Sequence, residues 1–319
     1  VTAVLLPGVP HEYRHLAEHE LLPWLRAKSD ETIVSHDLHV FGLTEPQVQE
    51  KLADLMDNAV NPSLAPYAKT GEVQLRVTDR VQNGEDAEAL LQPAIKKILT
   101  AAGDYCYGID VPDLQTAVVQ SLRQKGLTVA SAESCTGGLV AARLTEVPGA
   151  SAVFGCGIVS YNNTVKAEVL GVDPAIIEQY TAVSAETAAA MAEAVRKKSG
   201  ADIGIGVTGN AGPSASEGQP VGLVFVAVAS EKYSHVSRLF IDRHDADARN
   251  LIRHFAALKA SLERPFIANR PCRERRMKQR ALNVRGGKVL GAYVICDEIR
   301  PRQRVQRKTR KQECAGRSE

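Results

Sequence analysis

Residues 204–229, GIGVTGNAGPSASEGQPVGLVFVAVA, contain a literal G-x-G-x-x-G at Gly204, Gly206 and Gly209. That spacing marks a dinucleotide-binding turn only where it leaves a strand, opens a helix that carries the pyrophosphate, and meets an acidic residue about twenty positions later. Here the first two glycines lie inside the apolar run ADIGIGVTG, which reads as a strand. The segment that follows, NAGPSASEGQPVG, holds two prolines and has no helical apolar period. A second apolar run, VGLVFVAVA, starts about ten residues on, too soon for a parallel crossover, which needs about a dozen residues or more. The stretch therefore predicts two strands of one sheet joined by a loop and argues against a dinucleotide turn. Its glycines read instead as positions where strand and loop come close to a ligand.

On either side, helices alternate with apolar strands, the pattern of a layered α/β domain. DLQTAVVQSLRQKG reads as a helix, LTVASAE as a strand, GGLVAARLTEVPG as a helix, VFGCGIVSY as a strand and TVKAEVLGV as a helix. The next helix, SAETAAAMAEAVRKKSG, carries Ser184 at its start, Arg196, Lys197 and Lys198 in its last turn and Gly200 past its end. Strand VSRLFI and a helix through NLIRHFAALKASL complete a three-layer α/β/α domain over residues 110–264. Residues 27–109 read as a small α+β unit: a strand in TIVSHDLHVFG, a helix opened by the capping box Thr44 to Gln47, a strand in EVQLRVTDRV and a helix in DAEALLQPAIKKILTAAG. Residues 1–26 supply one strand, a Pro-Gly-Val-Pro turn and one helix, too little to bury a core. They read as the end of a further domain.

The 319 residues, 44% of them hydrophobic, suffice for two or three ordinary globular cores. No apolar run approaches the eighteen or so residues that span a bilayer, and VTAVLLPGVPHEY lacks the features of a signal peptide, so a cytoplasmic protein without membrane contact is expected. Six cysteines, Cys106, Cys135, Cys156, Cys272, Cys296 and Cys314, occur without any C-x-x-C, which predicts reduced thiols and neither zinc site nor disulfide framework. The net charge of +2 hides an asymmetry: from residue 264 to the end there are 17 Lys/Arg against 5 Asp/Glu, and the rest of the chain is acidic.

Three strand exits in residues 110–264 carry reactive or ligand-binding groups, and open α/β sheets bind ligands at the carboxyl ends of their strands. In SAESCTGG (131–138) a strand ends in hydroxyls and Glu133, then two glycines open a helix. Ser134 and Thr136 fit ordinary N-caps, while the same turn presents N–H groups for a phosphate or an oxyanion, with Gly137 and Gly138 allowing close approach. In SYNNTVKAE, Tyr161 stands at a strand end with Lys166 five residues on; taken alone, Lys166 reads as a solvated surface lysine. Thr208 in VTGNAGP stands at the third exit. A serine near a lysine and a tyrosine, with no suitable histidine, fits the serine/lysine form of nucleophile activation.

Five ordered motifs over roughly 110–260 (SAESCTGGLVAARLT, YNNTVKAEVLGV, AVSAETAAAMAEAVR, VTGNAGP and PVGLVFVAVA) resemble the carboxyl-terminal domain of the CinA (competence/damage-inducible protein) family. Upstream, NPSLAPYAKTGEVQLRVT resembles the family's small KH-like domain, and LLPGVPHEY resembles the end of its molybdopterin-binding-like domain. The resemblance implies a CinA C-terminal-like fold preceded by a KH-like unit, and nicotinamide mononucleotide amidohydrolase activity without metal or cofactor. It does not extend to the ADP-ribose pyrophosphatase activity associated with the first domain, whose catalytic segment finds no match. Carried over position by position, it makes Ser134 the nucleophile, with Lys166 as proton acceptor, directly or through Tyr161, and Thr208 beside them. Glu133, Thr136, Gly137, Gly138, Gly209 and Gly212 would line the nucleotide, and a homo-oligomer is compatible with this reading.

Three positions depart from the family pattern: Asn162 replaces a serine, Asn210 a small or aliphatic residue, and SASEGQ a glycine-rich turn ending in lysine. Loss of that lysine predicts weaker hold on a phosphate. The basic tail at 265–319 has no family counterpart and reads as a disordered extension or out-of-frame sequence, or as a nucleic-acid-binding arm, since clustered Lys/Arg neutralise phosphates. The KH-like unit itself argues against nucleic-acid binding, because between residues 32 and 103 no two glycines have the G-x-x-G spacing.

Overall fold

The computed structural model describes residues 2–57, 60–82, 85–261 and 263, together with the backbone of 294–297. Helix α1 (Pro10–Leu16) runs through a π-type turn at Ala17–Leu21 into α2 (Leu22–Arg26), and none of these residues is buried. The strand expected ahead of α1 does not form in residues 2–6. A strand needs a partner for its N–H and C=O groups, and none lies beside this segment among the described residues.

A four-stranded antiparallel sheet follows, built from β1 (Glu31–Phe41), β2 (Ser63–Lys69), β3 (Glu72–Gln82) and β4 (Cys106–Ile109) in the order β2-β3-β1-β4. Helices α3 (Glu45–Asp57) and α4 (Ala87–Ala102) cover one face, where Leu38, Val40, Leu75, Val77, Leu52, Leu91 and Ile98 form its core. Gln47 Oε1 accepts from the Thr44 amide, the reach-back half of the expected capping box. Sequence periodicity missed β2 and β4. Pro66 sits inside β2, tolerated because β2 is an edge strand, and β4 has four residues.

The second sheet holds β5 (Val129–Glu133), β6 (Phe154–Val159), β7 (Ile203–Gly209), β8 (Leu223–Ser230) and β9 (Ser234–Phe240) in the order β9-β8-β7-β5-β6. β5 is parallel to β6 and β7, while β7, β8 and β9 are successively antiparallel, as the short loop after β7 requires. The helices in chain order are α5 (Leu114–Lys125), α6 (Leu139–Thr145), α7 (Asn163–Val165), α8 (Pro174–Tyr180), α9 (Ala185–Ser199) and α10 (Ala248–Ser261). Of the basic tail, only the backbone of β10 (Val294–Asp297) is described, antiparallel to the outer edge of β9; the rest lies outside the described residues.

Strand alternation sorts the side chains into two different layers. Val129, Ile203, Ile205, Val207, Val224, Val226 and Val228 pack under α5, α6 and α10. Ala130, Ala132, Gly204, Gly206, Ala227 and Ala229 face the alanine-rich α9. A Cβ at Gly204 would run into the Ala192 carbonyl, and one at Gly206 into the Ala188 carbonyl. These two glycines thus serve close helix-on-strand packing, which corrects their reading as room for a ligand. α9 is capped as expected, with Ser184 Oγ accepting from the Thr187 amide and Gly200 left-handed. α8 was not anticipated, being seven residues long; Asp173 caps it and Pro174 opens it.

The two units touch at the β2–β3 turn. Gly71 (φ +85°) lies against the Phe255 ring of α10, and the His254 ring hydrogen-bonds Thr70 O at 3.3 Å. No helix among the described residues is long and apolar enough to cross a membrane.

Candidate active site

The three parallel strands end at one level. Beyond the register pairs Glu133 with Val159 and Glu133 with Val207, the ladder runs one residue further, with Ser134 N donating to Val207 O (2.9 Å) and Ser160 N to Glu133 O (2.8 Å). Ser160, Ser134 and Thr208 therefore stand side by side on β6, β5 and β7, about 4.8 Å apart from strand to strand. By alternation they continue the face of Ile158, Ala132 and Gly206 that packs on α9. Ser134 is 9% exposed, Ser160 0% and Thr208 1%, so the row is walled off from bulk water. Thr208 Oγ1 donates to Ala182 O at 2.6 Å, just ahead of α9. The Ser160 and Thr136 hydroxyls are buried without a partner among the described residues.

Lys166 is 1% exposed, which overturns its reading as a solvated surface lysine. Asn162 caps the start of α7 through Thr164 N, the chain continues as a π-type turn at Lys166–Leu170, and Leu170 anchors it beside α9. Lys166 Nζ donates to Tyr161 O (3.2 Å) and Asn163 Oδ1 (3.4 Å). Burial holds its pKa below the ordinary lysine value, against the opposing pull of Glu217 and Cys135. Its ammonium thus stands at the β6 exit, held by the turn that follows Ser160. No hydrogen bond links Lys166 to Ser134 among the described residues.

Tyr161 does not bridge them. Its side chain is exposed, and its hydroxyl accepts from Arg249 Nη2 at 3.1 Å. Arg249 also donates to Gly212 O, so α10 ties the β6 exit to the loop after β7. Asn210 organises that loop: Oδ1 accepts from Gly212 N (2.8 Å) and Nδ2 donates to Ser214 O (3.0 Å) and Gln219 O (3.1 Å). Gly209 is required because a Cβ there would meet Leu223 O and Val224, and Gly212 is left-handed. Within SASEGQ, Glu217 accepts from Ala182 N (2.7 Å) and Asn163 Nδ2 (3.4 Å), joining both walls of the site.

Glu133 lies on the opposite face of β5, beneath α6. Its carboxylate accepts from the amides of Gly138 (3.0 Å), Val140 (3.0 Å) and Ala141 (2.9 Å) and from Ser131 Oγ (3.2 Å). A fully buried anion is thus neutralised by a helix amino terminus. Two expectations change: Glu133 is not available to line a nucleotide, and the Gly138 amide is not free for a phosphate. The Gly137 amide is also taken, by Ser134 O at 3.0 Å. Among the described residues the amides of Cys135 and Thr136 meet no oxygen acceptor and bond weakly to the Cys135 thiol, which burial pushes up to about 12. From α10, Arg253 donates through Nε to Cys135 O and through Nη2 to Thr136 O, both at 3.1 Å. Among the described residues no group of three or more His, Cys, Asp or Glu side chains could hold a metal ion.

Sequence reasoning missed Ser160, Arg249 and Arg253. Ser160 was legible from its parity with Ile158 on β6, and the two arginines from their i,i+4 spacing on one helix face.

Residues 112–263 match the model of the CinA C-terminal domain, and residues 35–108 match that of the damage-inducible protein CinA KH domain. The chain belongs to the CinA family. A CinA-like protein of Kosmotoga olearia is 41% identical over 258 residues, covering 81% of this chain and 62% of that relative. A CinA-like protein of Desulfovibrio desulfuricans is 44% identical over 227 residues, covering 71% of this chain and 53% of the relative. The chain thus spans between about half and three fifths of these CinA-like proteins. Among solved structures, the competence/damage inducible protein CihA of Agrobacterium tumefaciens is 36% identical, with 47% of this chain and 93% of that one covered at a TM-score of 0.41.

Proposed function

We propose that this CinA-family chain hydrolyses the carboxamide of nicotinamide mononucleotide, yielding nicotinate mononucleotide and ammonia. The observation that carries the reading is Lys166: a lysine buried at the β6 exit, one strand over from Ser134, with its pKa lowered by desolvation, is a base suited to a hydroxyl nucleophile. Ser134 Oγ attacks the carboxamide carbon while its proton passes to Lys166. The tetrahedral oxyanion forms within reach of the Cys135 and Thr136 amides, in place of the weakly accepting Cys135 thiol. Collapse of the intermediate expels ammonia, which takes the proton from Lys166. Water then attacks the Ser134 ester, giving one proton to Lys166, from which the serine oxygen recovers it as it leaves, and the carboxylic acid released ionises, its proton taken up by the ammonia. One water is consumed for each ammonia formed. Arg249 at the rim offers a cation in place of the lysine that SASEGQ lacks.

The test is ammonia release by the purified chain from nicotinamide mononucleotide, with nicotinate mononucleotide appearing in equal amount. Absence of ammonia with this substrate overturns the reading.

A further inference from the structure

We infer that Arg253 is a positioning residue: from outside the reaction centre it aims the Thr136 amide at the oxyanion. This rests on the amidase reading above. The peptide unit is planar, with its C=O and N–H pointing in opposite directions. Arg253 Nε holds Cys135 O at 3.1 Å, so the N–H of the same peptide, which belongs to Thr136, is turned away from α10. The second arm of the guanidinium holds Thr136 O at 3.1 Å and fixes the next peptide too. Two carbonyls gripped by one planar fork hold both peptides of the turn against rotation.

Further features give this grip its purpose. Gly137 is left-handed at φ +60°, and a Cβ there would stand 3.3 Å from Arg253 Nη2, so the turn is shaped around the guanidinium. The amides of Gly137, Gly138, Val140 and Ala141 are already spent on Ser134 O and Glu133, whereas among the described residues those of Cys135 and Thr136 meet only the weakly accepting Cys135 thiol and can turn to new charge. A cation on the carbonyl side of a peptide polarises its N–H and strengthens it as a donor. The Thr136 hydroxyl, buried without a partner among the described residues, sits at the same turn. Without Arg253, the 135–136 peptide is free to flip its N–H out of the site.

Arg253→Gln and Arg253→Lys, made in the full chain, separate positioning from stability. A lysine keeps the charge and cannot grip two carbonyls with the geometry of a fork. Both variants should turn over nicotinamide mononucleotide ~10- to 100-fold more slowly, with KM within about 3-fold of the parent, somewhat less than the loss on removing an oxyanion donor itself. Added guanidinium ion should restore part of the rate to Arg253→Ala, a readout that general destabilisation would not move. Phosphonylation of Ser134 by a fluorophosphonate, which also builds charge on an oxygen at this turn, should slow by a similar factor. Parent-like kcat in Arg253→Gln overturns the inference, as does a Lys variant with full rate. If the parent itself releases no ammonia, the amidase reading has failed, and the phosphonylation rates decide Arg253: equal rates in parent and variant overturn its role.

Discussion

Lys166 and Ser134 carry the chemistry proposed for this site, and their protonation makes the sharpest test. A lysine whose pKa is lowered by burial acts as a base once it has lost its proton, so turnover should rise with pH through an inflection below the ordinary lysine value of 10.5. Stability moves with the same sign. Between the lowered folded pKa and the ordinary unfolded one, the unfolded chain binds more protons, so the fold gains stability as pH rises through that window and loses it as pH falls. Lys166→Met should abolish the kinetic inflection and flatten this stability slope, measured by pH-rate profiles and denaturant titrations. Ser134→Ala should cost about three orders of magnitude in kcat while leaving nucleotide binding measurable by calorimetry, and the double variant little more, because members of one catalytic unit are not additive. Near-parent turnover in Lys166→Met would remove the serine/lysine mechanism and leave the amidase reading standing.

α6 and α9 depend on single residues that the strands present to them. Glu133 satisfies three amides at the start of α6, so Glu133→Ala leaves buried N–H groups without partners and should destabilise by about 2–3 kcal/mol in urea unfolding. Its loss of activity should track unfolding, with the remaining folded fraction still reacting at Ser134. On the other face, Gly206→Val forces a branched side chain against the Ala188 carbonyl and the Met191 side chain. Overpacking of this kind costs about 1–3 kcal/mol, seen as a lower midpoint of thermal unfolding. An unchanged midpoint would show that α9 can lift from the sheet. The Gly206 variant probes packing that the G-x-G pattern concealed, since the same glycines that mimic a nucleotide turn are spent on a helix crossing.

The two units form one body through the β2–β3 turn, where Gly71 is left-handed and its missing Cβ admits the Phe255 ring. Gly71→Val meets both a strained backbone and that ring, and should lower stability by about 2–4 kcal/mol. Because Phe255 and His254 sit on the helix that carries Arg249 and Arg253, the same variant should also slow turnover, measured at a temperature where it remains folded. Every side chain of the candidate site lies upstream of residue 264, so removal of 266–319 should leave amidase activity within about 2- to 3-fold. A larger fall would mean that β10 supports the sheet through β9. Any affinity for DNA should disappear with the tail, and in the full chain should fall steeply with salt.

Local sequence determined the elements whose signals are local. The capping box at Thr44, the N-cap Ser184 with Gly200 beyond its helix, and the apolar runs of β5 to β9 were readable because caps and period-2 burial act over a few residues. The mixed direction of the sheet was readable too, since the loop after β7 cannot hold a crossover. The candidate row at Ser134 and Thr208 came from strand exits, a topological property of open α/β sheets. Only tertiary structure decided what each group faces. Lys166 reads as a surface residue until the π-type turn and Leu170 bury it, and Glu133 reads as a ligand until α6 lays its amino terminus over the carboxylate. Ser160, Arg249 and Arg253 enter the site through a neighbouring strand and a helix about a hundred residues away in sequence. Spacing along the chain carries no record of such contacts, which arise from how layers pack and from where buried donors and charges find their partners.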